Sequence, residues 1–255
     1  LPGLPPDDLP EAPAEQPETI EKWLTEMLRR QAEKQPPEGP RPGHQSNPSS
    51  RIEDHMEIIQ RACVVIVTSR LDGTRLGSGF FVRTPSGRPV VVTNFHVVNG
   101  AIDIGVKLYS GQMYRVTRCA LEPRADLAFL EVQGLANPPA TLGLRSAPLR
   151  LAEEVYVYGA PKGLEKTITR GILSGVRTTS ELMTLPGLAG FLQNYDDITW
   201  VQTDAPINEG NSGGPILDRA GQVVAVATWK VLPHHAEGFK FGVSATEVQH
   251  RLQRM

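Results

Sequence analysis

The stretch Glu209-Gly210-Asn211-Ser212-Gly213-Gly214-Pro215 places one serine hydroxyl among glycines, where a predicted strand at 214–217 begins. Glycine adopts backbone angles that other residues avoid, and it has no side chain to shield neighbouring N–H groups. A serine hydroxyl is a weak nucleophile that needs an adjacent base, and accessible N–H groups can stabilise the oxyanion formed when it attacks a carbonyl. The turn therefore provides a candidate nucleophile, although a plain hairpin loop can have a similar composition.

Two further polar residues lie beside predicted strands earlier in the chain. His96 follows shortly after the apolar run Pro89-Val90-Val91-Val92, and Asp126 directly precedes the apolar run Leu127–Leu130. A histidine can take the serine proton and return it, while a carboxylate fixes the histidine tautomer and stabilises its charged form. Each residue alone is more often structural. The order His96, Asp126, Ser212 is that of chymotrypsin, so the sequence predicts a catalytic triad.

The composition is that of a globular protein and excludes several classes. Of the 255 residues, 40% are hydrophobic and 21% are charged, with a formal net charge of -2. This balance gives no bulk attraction to nucleic acids or anionic membranes. No run approaches the roughly 18 apolar residues of a membrane-spanning helix, so no integral membrane segment is expected. The modest glycine content and the 2 cysteines argue against a collagen and a disulfide-dense miniprotein.

Proline marks an N-terminal arm. Residues 1–50 contain 11 of the 22 prolines. Because proline removes backbone donors and blocks helix formation, we predict a mostly disordered arm. An apolar stripe at helical spacing predicts one short amphipathic helix near 19–34. This helix is either a nascent helix in a tail or docks on the body, a partner or a second copy of the chain. The stripe consists of Ile20, Trp23, Leu24, Met27 and Leu28.

Residues 51–250 are predicted to form an all-β domain, with a short helix at 52–59 and a C-terminal helix at 245–255. Short strands broken by Gly, Pro, Asn and Asp are typical of barrels and sandwiches. The strands fall into two groups of six, which predicts barrel one at about 55–147 and barrel two at about 148–245. The predicted strands are 62–68, 77–83, 89–93, 102–108, 112–120, 127–132, 154–158, 167–177, 198–203, 214–217, 222–229 and 238–243.

Segments across both predicted barrels share one family pattern, in order and spacing. They are Leu76–Val82, Val92–Val98, Asp126–Leu130, Gly159–Pro161, Thr167–Gly175 and Gln202–Ile216. In these segments the chain closely resembles the trypsin-like protease domain of the HtrA/Deg family. The resemblance implies a chymotrypsin-type fold of two six-stranded antiparallel β-barrels with the active site between them. It also implies a serine endopeptidase that cleaves unfolded or flexible proteins through an acyl-enzyme.

The resemblance also assigns roles to individual residues. His96 would be the general base, Asp126 the orienting carboxylate and Ser212 the nucleophile. The oxyanion hole would lie at Gly210, Asn211 and Ser212, with the N–H groups of Gly210 and Ser212 as donors and Asn211 between them.

The same resemblance implies which residues bind the substrate. Ile207 and Asn208 would lie at the primary pocket, and Thr228-Trp229-Lys230 would form a wall that pairs with the substrate backbone as an added strand. No acid stands at Pro206 or Ile207, so we expect a small or medium aliphatic side chain in the pocket rather than Lys or Arg. No cofactor is expected, and no metal site is predicted because no His or Cys pair has ligand spacing.

Activation and assembly are also inferred from the resemblance. Digestive trypsins carry an Asp where this chain has the neutral Asn211, so activity is not expected to require cleavage at the start of the barrel. Activation would instead depend on the order of mobile loops at 159–167 and 178–197. The family usually carries peptide-binding PDZ domains, and none is expected in the short stretch after Ala245. A periplasmic or secreted location and a homo-oligomer, by resemblance a trimer, are expected.

Three alternatives stay open at this stage. A catalytically weak, protease-like peptide-binding or scaffold protein is the alternative to an endopeptidase. A further hypothesis places oligomerisation in the N-terminal arm. Cys63 and Cys119 are either two buried small hydrophobes in strands or one disulfide in an oxidising compartment.

Overall fold

The computed structural model describes residues 51–135, 138, 140–159, 167–185, 188–208, 210–230 and 240–255, with only the backbone of Trp229 and Lys230. The predicted arm and its helix near 19–34 lie outside the described residues. Residues 46–230 and 238–255 belong to one compact unit, which contains both predicted barrels.

The first six strands close into an antiparallel barrel with the order β1-β2-β3-β6-β5-β4. Alternate residues point inward, so the core is filled by side chains such as Val64, Ile66, Phe81, Val91 and Leu130. The strands are β1 (Cys63–Arg70), β2 (Gly73–Arg83), β3 (Pro89–Thr93), β4 (Asp103–Lys107), β5 (Met113–Glu122) and β6 (Leu127–Val132).

The next six strands close into a second antiparallel barrel with the order β10-β11-β12-β9-β8-β7. Its core includes Val155, Val157, Leu173, Val201 and Ile216. The prediction of two six-stranded barrels is therefore confirmed. The strands are β7 (Glu154–Gly159), β8 (Thr167–Thr178), β9 (Thr199–Thr203), β10 (Pro215–Leu217), β11 (Val223–Lys230) and β12 (Lys240–Ser244).

Short helices lie between and after the strands. The helix predicted at 52–59 is a 3₁₀ turn, Ile52–His55, that continues into an α-helix, and the predicted C-terminal helix is present. A second 3₁₀ turn spans Pro123–Ala125. The α-helices are α1 (Met56–Ala62), α2 (Phe95–Val98), α3 (Thr179–Met183), α4 (Ala189–Leu192) and α5 (Ala245–Leu252).

The segment predicted as a mobile loop at 178–197 contains α3 and α4, so that prediction is corrected. Thr178 and Glu181 form a capping box: the Glu181 N–H donates to Thr178 Oγ1 at 3.1 Å, and the Thr178 N–H donates to Glu181 Oε2 at 2.9 Å. Leu182 and Leu192 are buried. The capping box and the burial of these leucines stabilise α3 and α4 in the described parts of the segment, and neither feature was recognised from the sequence.

The two cysteines are not paired. Both thiols are free, and Cys63 is buried whereas Cys119 is exposed. Burial raises the pKa of the Cys63 thiol, which stays protonated in its apolar surroundings. The disulfide alternative is therefore wrong, and the prediction of a buried small hydrophobe holds for Cys63 only.

The segment between the barrels is hydrogen-bonded to both. The Leu142 N–H donates to the Phe81 carbonyl of β2 at 2.8 Å, and the Arg145 N–H donates to the Val223 carbonyl of β11 at 2.9 Å. The Arg145 side chain is only 13% exposed and contacts two carboxylates, with Nη1 2.7 Å from Glu153 Oε2 and 3.3 Å from Asp218 Oδ2. This guanidinium therefore holds the segment that leads into barrel two against Glu153 and Asp218.

We expect Arg145→Gln to lower the free energy of unfolding by roughly 2 kcal/mol, because it leaves two partly buried carboxylates without their cation. Urea denaturation followed by circular dichroism measures the change. The control is Arg118→Gln, since Arg118 Nε lies 3.9 Å from Glu131 on a 78% exposed side chain. Its effect should stay within about 0.5 kcal/mol. Equal effects of the two substitutions would contradict the role given to Arg145.

Candidate active site

His96 lies on α2, immediately after β3, and Asp126 holds it at two points. The His96 backbone N–H donates to Asp126 Oδ1 at 2.9 Å, and His96 Nδ1 lies 2.7 Å from Asp126 Oδ2. The Asp126 side chain is 3% exposed and the His96 side chain 47%. A buried carboxylate thus orients an imidazole whose other edge can face solvent or a substrate.

Asp126 sits at a strained junction between the 3₁₀ turn Pro123–Ala125 and β6. Its backbone is left-handed, with φ 49° and ψ 42°, which Asp tolerates better than most residues other than glycine. Its carbonyl accepts a hydrogen bond from Asn94 Nδ2 at 2.9 Å. Burial, together with the Asp126 carboxylate, raises the pKa of the Tyr195 hydroxyl, so that neighbour stays neutral. The junction therefore holds the carboxylate in a defined position away from water.

The turn around Ser212 leaves two backbone donors available. The Asn211 N–H donates to the Asn208 carbonyl at 3.0 Å, and the Gly213 N–H donates to the Ala227 carbonyl at 2.8 Å. Within the described part of the chain, the N–H groups of Gly210 and Ser212 have no partner. The two N–H groups that the resemblance assigns as oxyanion donors therefore make no hydrogen bond within this part of the chain. The Asn211 N–H, in contrast, is hydrogen-bonded inside the turn.

Ser78 of β2 ties this turn to barrel one, and the sequence analysis gave it no role. Its hydroxyl donates to the Gly210 carbonyl at 2.7 Å, and its N–H donates to the Ser212 carbonyl at 2.9 Å. The Ser78 carbonyl accepts from Thr93 Oγ1 at 2.7 Å. Gly213 packs so closely, with φ +85°, that a Cβ there would lie 2.2 Å from the Ser78 carbonyl. The only sequence signal was the position of Ser78 between two glycines.

The Ser212 hydroxyl donates to the Thr228 carbonyl at 3.2 Å. Among the hydrogen bonds of the described residues, none joins Ser212 to His96. Thr228 also contacts the segment that carries His96, because Asn94, two residues before His96, donates from Nδ2 to Thr228 Oγ1 at 3.0 Å. The structure thus joins His96 directly to Asp126, and it connects Ser212 to the Asn94 side chain through Thr228.

The predicted substrate-binding residues lie around the same turn. Ile207 is only 3% exposed and belongs to the core of barrel two, so at most an edge of it can touch a ligand. Asn208 is exposed and precedes the turn, and Thr228 is buried. Past Thr228, the described part of β11 pairs only with β12, through Trp229 with Phe241 and Lys230 with Lys240. Among the described residues, no second strand pairs with β11 past Thr228 on its other edge.

Neither a metal-binding cluster nor a membrane-spanning helix is found among the described residues. They contain no group of three or more His, Cys, Asp or Glu placed to hold a metal ion. None of their helices is long and apolar enough to cross a membrane.

Comparison with known proteins places this geometry in a family. The model of the trypsin-like peptidase domain matches residues 77–226, more than half of the chain. The chain belongs to the trypsin-like peptidase domain family. The matched residues include the histidine, the aspartate and the serine turn described above.

Relatives of the HtrA type match over most of the chain, which confirms the resemblance. The chain is 33% identical to "Serine protease Do-like HtrA" of Bacillus subtilis over 224 residues, covering 80% of the chain and 48% of that protein. It is 36% identical to "Serine protease HTRA2, mitochondrial" of Bos taurus, covering 70% and 36%. The chain thus spans half or less of the length of these relatives.

A solved structure supports the same assignment. The HtrA-type protease AlgW with tripeptide superposes with a TM-score of 0.63 at 28% identity, covering 79% of this chain and 63% of that chain. The Rv3671c protease from M. tuberculosis, at 23% identity and a TM-score of 0.65, shows the same fold.

The contact between His96 and Asp126 predicts a strongly deshielded Nδ1 proton in the NMR spectrum, because a short bond to a carboxylate withdraws electron density from it. With ¹⁵N-labelled histidine, this resonance should vanish in Asp126→Ala. It should persist in Asp103→Ala, which removes an exposed carboxylate paired with Arg115. Persistence in both variants would show that Asp126 does not hold the ring.

Proposed function

We propose that the protein is a serine endopeptidase that hydrolyses peptide bonds in unfolded or flexible proteins. The proposal rests on the pairing of Asp126 with His96, together with a serine turn whose Gly210 and Ser212 N–H groups have no partner among the described residues. Acyl transfer needs a base, an orienting carboxylate, a nucleophile and oxyanion donors together. The kinship with named serine proteases supports the same reaction.

The reaction would begin with rotation of the Ser212 side chain from the Thr228 carbonyl towards His96. His96 Nε2 accepts the hydroxyl proton as Oγ attacks the substrate carbonyl, and Asp126 stabilises the imidazolium. The oxyanion accepts hydrogen bonds from the N–H groups of Gly210 and Ser212. The C–N bond then breaks, His96 protonates the leaving amine, and water hydrolyses the acyl-enzyme with His96 again as base.

The open edge of β11 supports an extended, flexible substrate. A peptide that pairs with residues 228–230 as an added strand would satisfy that edge and carry its carbonyl to Ser212. Folded segments rarely offer such a free backbone, because their N–H and C=O groups are already paired. Substrates would therefore be unfolded proteins or flexible segments.

Location and assembly remain proposals drawn from relatives. The chain is 34% identical over 151 residues to the "Probable periplasmic serine endoprotease DegP-like" of Pseudomonas fluorescens, which supports a periplasmic or secreted location. A homotrimer follows only from the resemblance, and sedimentation velocity of the full chain tests it.

We expect Ser212→Ala to lower the cleavage rate of a reduced, carboxymethylated protein by roughly a thousandfold or more, because no other group in the site replaces the nucleophile. Ser110→Ala, which alters an exposed serine, is the control and should keep full activity. A fluorophosphonate reagent should label wild type at Ser212. A folded wild type that neither cleaves nor reacts would support the alternative of a peptide-binding scaffold.

We expect Ser78→Ala to lower kcat about tenfold with little change in KM, because the freed Gly210 carbonyl loosens the oxyanion donors rather than the ground-state contacts. A peptide aldehyde, which forms an oxyanion with Ser212, should lose affinity in parallel, while an unreactive peptide of the same sequence should not. Thr68→Val is the control, since it removes another buried hydroxyl, bonded at 3.4 Å to the Arg75 carbonyl. If Thr68→Val lowers kcat as much, the effect is one of stability.

A further inference from the structure

The first residue of β12, Lys240, points to the inner side of barrel two. Gly242 marks that side, because a Cβ there would lie 2.8 Å from Ile216 Cδ1 and 3.0 Å from Ala225 Cβ. Side chains alternate along a strand, so Lys240, two residues earlier, lies on the same side, at the start of β12. It is partly exposed there.

The ammonium group of Lys240 reaches the segment that leads into the serine turn. Lys240 Nζ donates to the Asp204 carbonyl at 3.0 Å. From Asp204 the chain runs through Ile207 and Asn208, whose carbonyl accepts the Asn211 N–H of the turn. The cation therefore lies beside the chain segment that the resemblance assigns to the primary pocket.

Lys240 also adjoins the strand end proposed to bind substrate. It pairs with Lys230 on β11, whose other edge has no partner strand past Thr228 among the described residues. If the reacting carbonyl lies at Ser212, beside Thr228, the side chain of the same substrate residue can enter between β11 and the segment 204–208. Lys240 contacts both sides of that space. Its backbone pairs with β11, and its Nζ donates to the Asp204 carbonyl.

The positive charge of Lys240 is not neutralised by a described neighbour. Across the described part of the chain, no carboxylate lies within 4.0 Å of its ammonium group. The Asp204 carboxylate is turned elsewhere, since its Oδ1 accepts the Ile172 N–H at 2.6 Å. The Asp204 carbonyl is a neutral acceptor and occupies one of the three ammonium protons.

We propose that Lys240 selects substrates with Asp or Glu at the residue whose carbonyl is attacked. The carboxylate of that residue would accept a charge-assisted hydrogen bond from Nζ in a partly desolvated pocket. The inference rests on the proposed endopeptidase function and replaces the aliphatic preference expected from the sequence. That expectation considered only Pro206 and Ile207, because the sequence does not show that β12 contributes to the same pocket.

The test uses peptides that differ only at the attacked residue, with Glu, Gln, Asp, Asn or Val, and measures kcat/KM for each. We expect Glu to exceed Gln, and Asp to exceed Asn, by roughly three- to tenfold, as befits a half-exposed charged pair. The ratio should fall as salt is raised, because the pair is accessible to screening.

Substituting Lys240 tests the residue itself. In Lys240→Met the Glu-to-Gln ratio should fall to about one or below, while Val is still cleaved. Lys240→Arg should keep a ratio above one, because the charge stays. Arg118→Met, which removes a charge from the exposed face of β5 in barrel one, should leave the ratio unchanged.

Each outcome decides the inference. Cleavage after Val with no excess of Glu over Gln in wild type overturns the role of Lys240 and leaves the endopeptidase proposal intact. An excess that survives in folded Lys240→Met also overturns it. If Lys240→Met does not fold, the wild-type ratio and its salt dependence decide. No cleavage of any peptide and no labelling at Ser212 would contradict the proposed function itself.

Discussion

The site depends on the hydrogen bonds that Ser78 of barrel one makes with the serine turn of barrel two. Its hydroxyl donates to the Gly210 carbonyl and its N–H donates to the Ser212 carbonyl. These bonds fix the position of the turn relative to the barrel that carries His96 and Asp126. A reaction shared between two barrels tolerates little error, because a displacement of about 1 Å can cost a hundredfold in rate. Two buried bonds, each worth about 1 kcal/mol in stability, thus matter more for geometry than for the total free energy of folding.

The buried Asp126 carboxylate shows how the fold offsets an unfavourable group. Taking a carboxylate out of water is costly unless donors replace the lost hydration. Here the His96 backbone N–H and imidazole supply those donors, and Asn94 holds the Asp126 carbonyl. The left-handed backbone of Asp126 adds strain of roughly 1 kcal/mol. A residue keeps such a conformation only where the surrounding contacts hold it in place. For Asp126, those contacts are at the junction of the turn Pro123–Ala125 with β6.

The surroundings of Lys240 illustrate a different constraint, since they come from segments far apart in the chain. The segment 204–208, the end of β11 and the start of β12 converge because barrel two closes with β12 between β11 and β9. The Lys240 ammonium group therefore contacts the carbonyl of Asp204, which lies 36 residues earlier in the chain. If it recognises acidic side chains, specificity has been placed on the rigid barrel rather than on the catalytic turn.

The sequence by itself determined the strands and the candidate residues of the proposed active site. Alternating apolar runs and turn residues are local signals, and all twelve predicted strands appear within a few residues of their predicted bounds. The order of His96, Asp126 and Ser212 was likewise visible. Only the tertiary structure decided that Ser78 anchors the turn, that Ser212 rests on Thr228, that residues 178–197 contain helices and that Cys63 and Cys119 are unpaired. Those features arise from contacts between distant segments, which barrel closure fixes and local sequence patterns do not encode.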